Sequence, residues 1–207
     1  MKHIAVFVSG GGSNLQAVID GIKKDKLNAK VALVISSKQG VYAEKRAEAE
    51  NIPYFVYERK NYVNTDKMFA EISVLLKKYN IDFIVLAGYL SILSEALIKE
   101  YKNKIINVHP ALIPSFCGKG YYGLKVHQAV LDYGAKVTGV TVHFADEGAD
   151  TGAIILQESV EVSDDDDCRS LQEKVLKIEH KLLPLAVKLL IEDRIVIEGR
   201  KARIIPR

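Results

Sequence analysis

Asn107 and His109 stand two residues apart, behind the strand-like run Lys104-Ile105-Ile106 and ahead of Pro110. In an extended chain, residues at that spacing project to the same side. An amide and an imidazole aimed at one point suit a reaction that builds negative charge on an oxygen and also moves a proton. Pro110 cannot extend a central strand, which places the pair at a strand end, where sites in open α/β sheets gather. The same two residues also read as a turn asparagine and a satisfied core histidine.

Two other stretches carry chemistry. Ser9-Gly10-Gly11-Gly12-Ser13-Asn14 follows the first apolar run and opens a helical pattern. Glycines let backbone N–H groups approach a ligand, and a helix N-terminus adds positive potential, so the place suits a phosphate. Position 15 is leucine, so the spacing is neither a dinucleotide-binding G-x-G-x-x-G nor a G-K-[ST] phosphate loop. The alternative is a tight strand-to-helix turn with Ser13 or Asn14 as N-cap. Later, His143 is followed by Asp146, Glu147 and Asp150 on a glycine-punctuated loop that ends at Gly152. A carboxylate close to His109 would favour the protonated imidazolium and so supply an acid. Taken alone, the loop also reads as an exposed acidic turn.

These residues need a scaffold, and the pattern supplies one. His3–Val8 is continuously apolar, as in a strand buried on both faces. Leu15, Val18, Ile19 and Ile22 repeat at helical spacing. Further strands are expected over 30–36, 54–57, 83–86 and 104–108, with helices over 42–51 and around Phe69, Ile72, Leu76 and Tyr79. The rhythm predicts an α/β fold: an open, mostly parallel, Rossmann-like twisted sheet with helices on both faces. Residues 136–143 and 153–162 are expected to pair as a long hairpin at the sheet edge. Leu171, Val175, Ile178, Leu182, Leu185 and Leu189 mark one long C-terminal helix, which Pro184 would bend. The Asp164–Asp167 run suits that helix's positive end, and Arg194–Glu198 with Ala202–Ile205 reads as a terminal hairpin. His127 falls on a helix with Leu124 and Leu131 and reads as structural rather than catalytic.

Composition sets the remaining bounds. A chain of 207 residues with 48% apolar and 27% charged residues suits a single domain, with an N-terminal phosphate-binding half at about 1–100 and a catalytic half at about 101–207. A net charge of +3 without a basic block argues against nucleic acid and accommodates an anionic small substrate. No signal peptide or membrane-length apolar run is expected, so the reading is a cytoplasmic protein with no membrane partner. Cys117 and Cys168 read as free thiols, and no Cys/His spacing predicts a metal.

Ser-Gly-Gly-Gly-Ser-Asn-Leu, Val85-Leu86-Ala87-Gly88-Tyr89, Asn107-Val108-His109-Pro110-Ala111-Leu112-Ile113-Pro114 and Gly139-Val140-Thr141-Val142-His143-Phe144 with Asp150 occur in that order along the chain. In these motifs, and over essentially its whole length, the chain resembles the phosphoribosylglycinamide formyltransferases of the folate-dependent formyltransferase family. The resemblance implies transfer of the formyl group of 10-formyltetrahydrofolate to the primary amine of glycinamide ribonucleotide in de novo purine synthesis, with no metal and a monomeric or homodimeric enzyme. It implies that Asn107 bonds the oxyanion, that His109 donates a proton, that Asp150 holds His109 charged, and that His143 supports them. Gly12, Ser13, Asn14 and Glu179 would then bind the ribonucleotide, while Thr65, Leu90, Ser91, Ile92, Leu93, Asn107, Ala145, Asp146 and Asp150 would face the folate.

Two departures stand out. Many family members carry arginine where this chain has Ser91 and Thr65, and Lys67 or Lys125 is the expected substitute cation. The Ser115–Gly123 loop is longer than the shortest family versions and reads as glycine-hinged beside the site. Three other functions share part of the pattern. A formyltetrahydrofolate hydrolase is expected to carry a further N-terminal regulatory domain and to lack the glycine loop. A formyltransferase for initiator tRNA is expected to carry a further basic C-terminal domain. A non-catalytic nucleotide-binding module would leave Asn107, His109 and Asp150 without a purpose.

Overall fold

The computed structural model describes residues 1–206. Backbone packing resolves two compact units, Met1–Asn107 and the part from Val108 onward.

The first unit alternates strand and helix. β1 is Lys2–Val8, α1 Ser13–Lys24, β2 Ala29–Ser36, α2 Ala43–Ala49, β3 Tyr54–Val56, α3 Thr65–Lys78, β4 Phe83–Leu86 and α4 Glu95–Glu100. β5, Ile105–His109, carries the unit boundary between its third and fourth residues. The strand order is β3-β2-β1-β4-β5, and every pairing is parallel. Parallel strands covered on both faces need side chains that are apolar in both directions. Ile4 to Val8 and Leu33 to Ile35 meet that need and are all buried. Leu15, Val18, Ile19 and Ile22 form the buried face of α1.

Two helices differ from expectation. α2 is shorter than 42–51: it closes at Glu50, and Asn51 turns left-handed with φ 55°, which stops a right-handed helix. α4 has too few apolar residues to show a period. It is set by Ser94, whose hydroxyl accepts from the Leu97 N–H at 3.3 Å.

The second unit contains α5 (Leu124–Tyr133), β6 (Val137–Phe144), β7 (Ile154–Glu161), α6 (Cys168–Ile191), β8 (Ile195–Glu198) and β9 (Lys201–Ile204). β6 and β7 form the expected antiparallel hairpin. The hairpin does not end the sheet, because β9 joins β7 through Ile154 and Lys201, and β8 lies outermost. The short alternating strands β8 and β9 are the half-exposed kind that tolerates an edge.

α6 continues through Pro184 and starts with a capping box built by Asp167 and Ser170. Its buried face corrects the expected stripe. Leu185 is 40% exposed, while Glu179, Leu183, Ala186 and Leu190 are buried. The stripe from Leu171 to Leu189 keeps to one line of the helix, and Glu179, Leu183, Ala186 and Leu190 lie beside that line. The buried face of α6 is therefore broader than the leucine stripe and extends to the side that carries Glu179. Among the described residues no helix is long and apolar enough to cross a membrane.

Candidate active site

The glycine loop leaves β1 and enters α1 through Gly12, at φ 72°. A Cβ there would meet the Ala43 Cβ at 2.8 Å and the Arg46 Cδ at 3.4 Å, so α2 backs this residue closely and only glycine fits. Neither Ser13 nor Asn14 is the N-cap. Gly12 takes that place with no side-chain cap, and Ser13 begins the helix. The loop therefore presents first-turn N–H groups that no capping side chain covers, in the positive field of a helix end. Before the glycines, the Ser9 hydroxyl accepts from the Leu90 N–H at 2.9 Å and lies 2.5 Å from the Ser37 hydroxyl. One buried serine thus ties the loop to the segment between β4 and α4.

Asn107 and His109 occupy alternate positions at the end of β5, as their spacing predicts. The chain leaves the strand through Pro110 and is caught by Thr141 of β6. That buried hydroxyl donates to the Ala111 carbonyl at 2.7 Å, and it accepts from the Ile113 N–H at 3.1 Å and from Gln157 at 2.9 Å. Gly139, two residues earlier on β6, has no room for a Cβ, which would lie 2.6 Å from Leu112. Thr141 and Gly139 hold the turn after His109. Neither residue carries a chemical signature that would single it out in a strand rich in Val and Thr.

His109 is 4% exposed. Its Nδ1 faces Oδ2 of Asp150 at 3.6 Å, and Nε2 of His143 faces the other carboxylate oxygen at 3.5 Å. Nε2 of His109 lies 2.8 Å from the Phe116 carbonyl. A carbonyl only accepts, so Nε2 carries a hydrogen and Nδ1 of the neutral ring turns a lone pair toward Asp150. A proton on Nδ1 converts that unfavourable contact into an ion pair. Burial nevertheless pulls the His109 pKa below its ordinary value. The Asp150 charge and the Phe116 carbonyl push it back up by less, and His143 adds a further downward push. The Asp150 charge favours the protonated imidazole, but in this state desolvation outweighs it.

Asp150 is held the opposite way. Burial pushes its carboxyl up, but hydrogen bonds from His143 and from the Gly118 N–H, with the nearby histidine charges, keep it below its ordinary value. The Gly118 N–H bond is 2.9 Å. The 115–123 loop therefore contacts both members of the pair, through the Phe116 carbonyl and the Gly118 N–H. The Asp150 backbone is left-handed, with φ 60°. In the same loop a Cβ on Gly152 would lie 1.8 Å from the Phe144 carbonyl.

The other two loop carboxylates do different work. Asp146 is exposed, and its Oδ1 accepts from the Gly148 N–H at 3.1 Å and from Thr151 at 2.5 Å. It shapes the loop. Glu147 is exposed, and Ala145 is half-buried ahead of both.

Leu90 and Ile92 turn apolar side chains outward, at 47% and 79% exposure, while Ser91 is half-buried and Leu93 is buried. Glu179 is buried on α6. Thr65 begins α3, and its hydroxyl accepts from Nε of Arg59 at 3.1 Å. Sequence reasoning missed Arg59, which begins a 3₁₀ turn, Arg59–Asn61, too short to show a period. Lys125 is engaged elsewhere: its Nζ donates to the Tyr122 hydroxyl at 2.9 Å. His127 is buried with Val126 and Val130, whereas Leu124 is 49% exposed. Burial, then the charge on His109, drives the His127 pKa down to about 4.

A strand end that carries an amide and an imidazole at alternate positions, with a half-buried carboxylate against the imidazole, defines a class. The chain belongs to the formyl transferase family, whose model matches residues 2–187. Within it, the similarity is to phosphoribosylglycinamide formyltransferases. The chain is 38% identical to that enzyme of Bacillus subtilis, over 92% of this chain and 95% of the relative. It spans 67% of the chloroplastic form of Arabidopsis thaliana, at 40% identity over 94% of this chain. The glycinamide ribonucleotide transformylase 1 structure from Symbiobacterium toebii superposes with a TM-score of 0.93 at 36% identity, covering 100% of this chain and 95% of that one. A formyltetrahydrofolate deformylase from Pseudomonas syringae superposes with a TM-score of 0.89 at 28% identity, covering 99% of this chain and 66% of that one.

Proposed function

We propose that this chain transfers the formyl group of 10-formyltetrahydrofolate to the primary amine of glycinamide ribonucleotide, a step of de novo purine synthesis. The observation that carries the reading is the Asp150 carboxylate set against buried His109 at the end of the strand that also bears Asn107. The amine attacks the formyl carbon, and the carbonyl oxygen becomes an oxyanion. The Asn107 amide and the His109 imidazole stabilise that charge. The bond from carbon to folate N10 then breaks, N10 takes a proton, and the amine loses one. Asp150 favours the charged form of His109 when the proton arrives, and His143 orients Asp150. No enzyme nucleophile is needed, because an α-amine titrates at about 8 and is partly neutral at physiological pH.

Gly12, Ser13 and Asn14 are assigned to the substrate phosphate, and Glu179 to the ribonucleotide. Leu90, Ser91, Ile92 and Leu93, with Thr65, Ala145 and Asp146, are assigned to the folate. Positioning two bound substrates supplies the rest of the barrier reduction.

The test is a spectrophotometric assay with 10-formyltetrahydrofolate, with and without glycinamide ribonucleotide. Deformylation that requires the ribonucleotide and yields its formyl product supports the proposal. Deformylation at an equal rate without it supports the hydrolase reading, which the deformylase-like fold brings forward.

A further inference from the structure

Arg46 lies on α2, outside every residue assigned above. Its Nε donates to the Gly11 carbonyl at 2.9 Å, and its Nη1 donates to the Gln16 side chain at 3.3 Å. Gln16 is held in turn, since its amide donates to Asp20 at 3.0 Å. The guanidinium also lies over the Tyr42 ring, 5.1 Å from its centroid. Among the described residues no carboxylate pairs with Arg46, so its charge is not neutralised. The side chain thus bridges the loop and the first turn of α1 from behind, on the same side as Ala43, which closes against Gly12.

Peptide geometry turns this into a functional statement. In a trans peptide the C=O and the following N–H point in opposite directions. Arg46 fixes the Gly11 carbonyl toward α2, so the Gly12 N–H of that same peptide faces away from α2. Glycines on either side leave this peptide free to rotate unless something holds it. An anion bound by the loop needs that N–H turned toward it, and it gains from a cation behind it.

We propose that Arg46 is a positioning residue for phosphate recognition: it holds the Gly11–Gly12 peptide with its N–H toward the ligand and supplies a fixed positive charge behind it. The proposal deepens the reading of the loop as the ribonucleotide phosphate site and rests on it.

The experiment compares the wild-type chain with Arg46→Gln and Arg46→Lys. Formyl transfer is measured with glycinamide ribonucleotide and with its dephosphorylated ribonucleoside, and calorimetry measures binding of ribose 5-phosphate. Arg46→Gln is expected to raise KM for the ribonucleotide about ten-fold or more, the size of a lost charged hydrogen bond. KM for the folate and kcat/KM for the ribonucleoside should stay within about two-fold by the same argument. Arg46→Lys should fall between, because it keeps the charge and loses the fork. Equal losses on ribonucleotide and ribonucleoside would overturn the proposal in favour of a purely structural role, and so would an unchanged ribonucleotide KM. A wild-type chain that binds ribose 5-phosphate more tightly than Arg46→Gln but transfers no formyl group would retain the loop assignment and sink the transferase reading.

Discussion

Nδ1 of His109 faces Oδ2 of Asp150 at 3.6 Å, and Asp150 reaches that position with a left-handed backbone, φ 60°. Few residues hold this conformation without strain; asparagine and aspartate do so because a short polar side chain bonds locally. Asp150→Asn therefore separates charge from backbone. It should keep the left-handed turn and still accept from the Gly118 N–H, whereas Asp150→Ala should unfold at a lower temperature. Both should lose turnover on the order of 10²-fold or more, as when a proton-transfer partner is removed. The imidazole pKa of His109, followed by NMR in Asp150→Asn, should fall further below its ordinary value, since the carboxylate is what pushes it up. A variant with wild-type kcat would remove Asp150 from the mechanism.

Acid should destabilise this fold partly through His127. Its pKa is about 4 in the folded chain against an ordinary 6.5. A base whose folded pKa is depressed binds fewer protons in the native state, so its contribution is complete above the unfolded pKa and is lost as pH falls through the folded one. The window runs from about 6.5 down to about 4, and the loss within it is on the order of 3 kcal/mol. Denaturant unfolding at steps across that window should show the decline in the wild-type chain and a shallower one in His127→Leu. Identical slopes would place the acid sensitivity elsewhere.

Asn107 precedes His109 on β5, and its amide is the neutral donor of the pair. Losing one oxyanion donor costs on the order of 10²–10³ in kcat. Asn107→Ala should show that loss with both Michaelis constants nearly unchanged, because the interaction forms in the transition state. A rise in KM at constant kcat would make Asn107 a ground-state binding residue instead.

Much of the scaffold was legible because parallel strands and amphipathic helices leave periods in the sequence. The run ending at Val8, the α1 face and the strand-end placement of Asn107 and His109 all follow from those periods. The site's decisive choices leave none. Asp146, Glu147 and Asp150 are alike as letters; the glycine-constrained turn directs Asp150 to the histidines and gives Asp146 to the turn itself. The balance on His109 depends on burial, which its neighbours along the chain do not reveal. Gly12 rather than Ser13 caps α1 because Ala43 and Arg46 crowd it from a different helix. Glu179 faces inward because the buried face of α6 is broader than the leucine stripe.

Beside Lys67 and Lys125, Arg59 is a further candidate for the cation expected near Thr65. Its Nε bonds Thr65 at 3.1 Å, and its Nη1 bonds the Tyr62 carbonyl at 2.7 Å, which places a guanidinium at the start of α3. Among the described residues no carboxylate pairs with it. Lys125 is held by Tyr122, with the ammonium also 4.6 Å from that ring's centroid. Arg59→Gln should raise KM for 10-formyltetrahydrofolate by up to about five-fold, the scale of an exposed ionic contact, with kcat retained. The effect should shrink as salt rises, because exposed charges are screened. The unfolding temperature should hardly move, since the residue is on the surface. Thr65→Val should give a smaller rise by loosening the guanidinium without removing it. A larger rise in Lys125→Gln than in Arg59→Gln would return the role to Lys125.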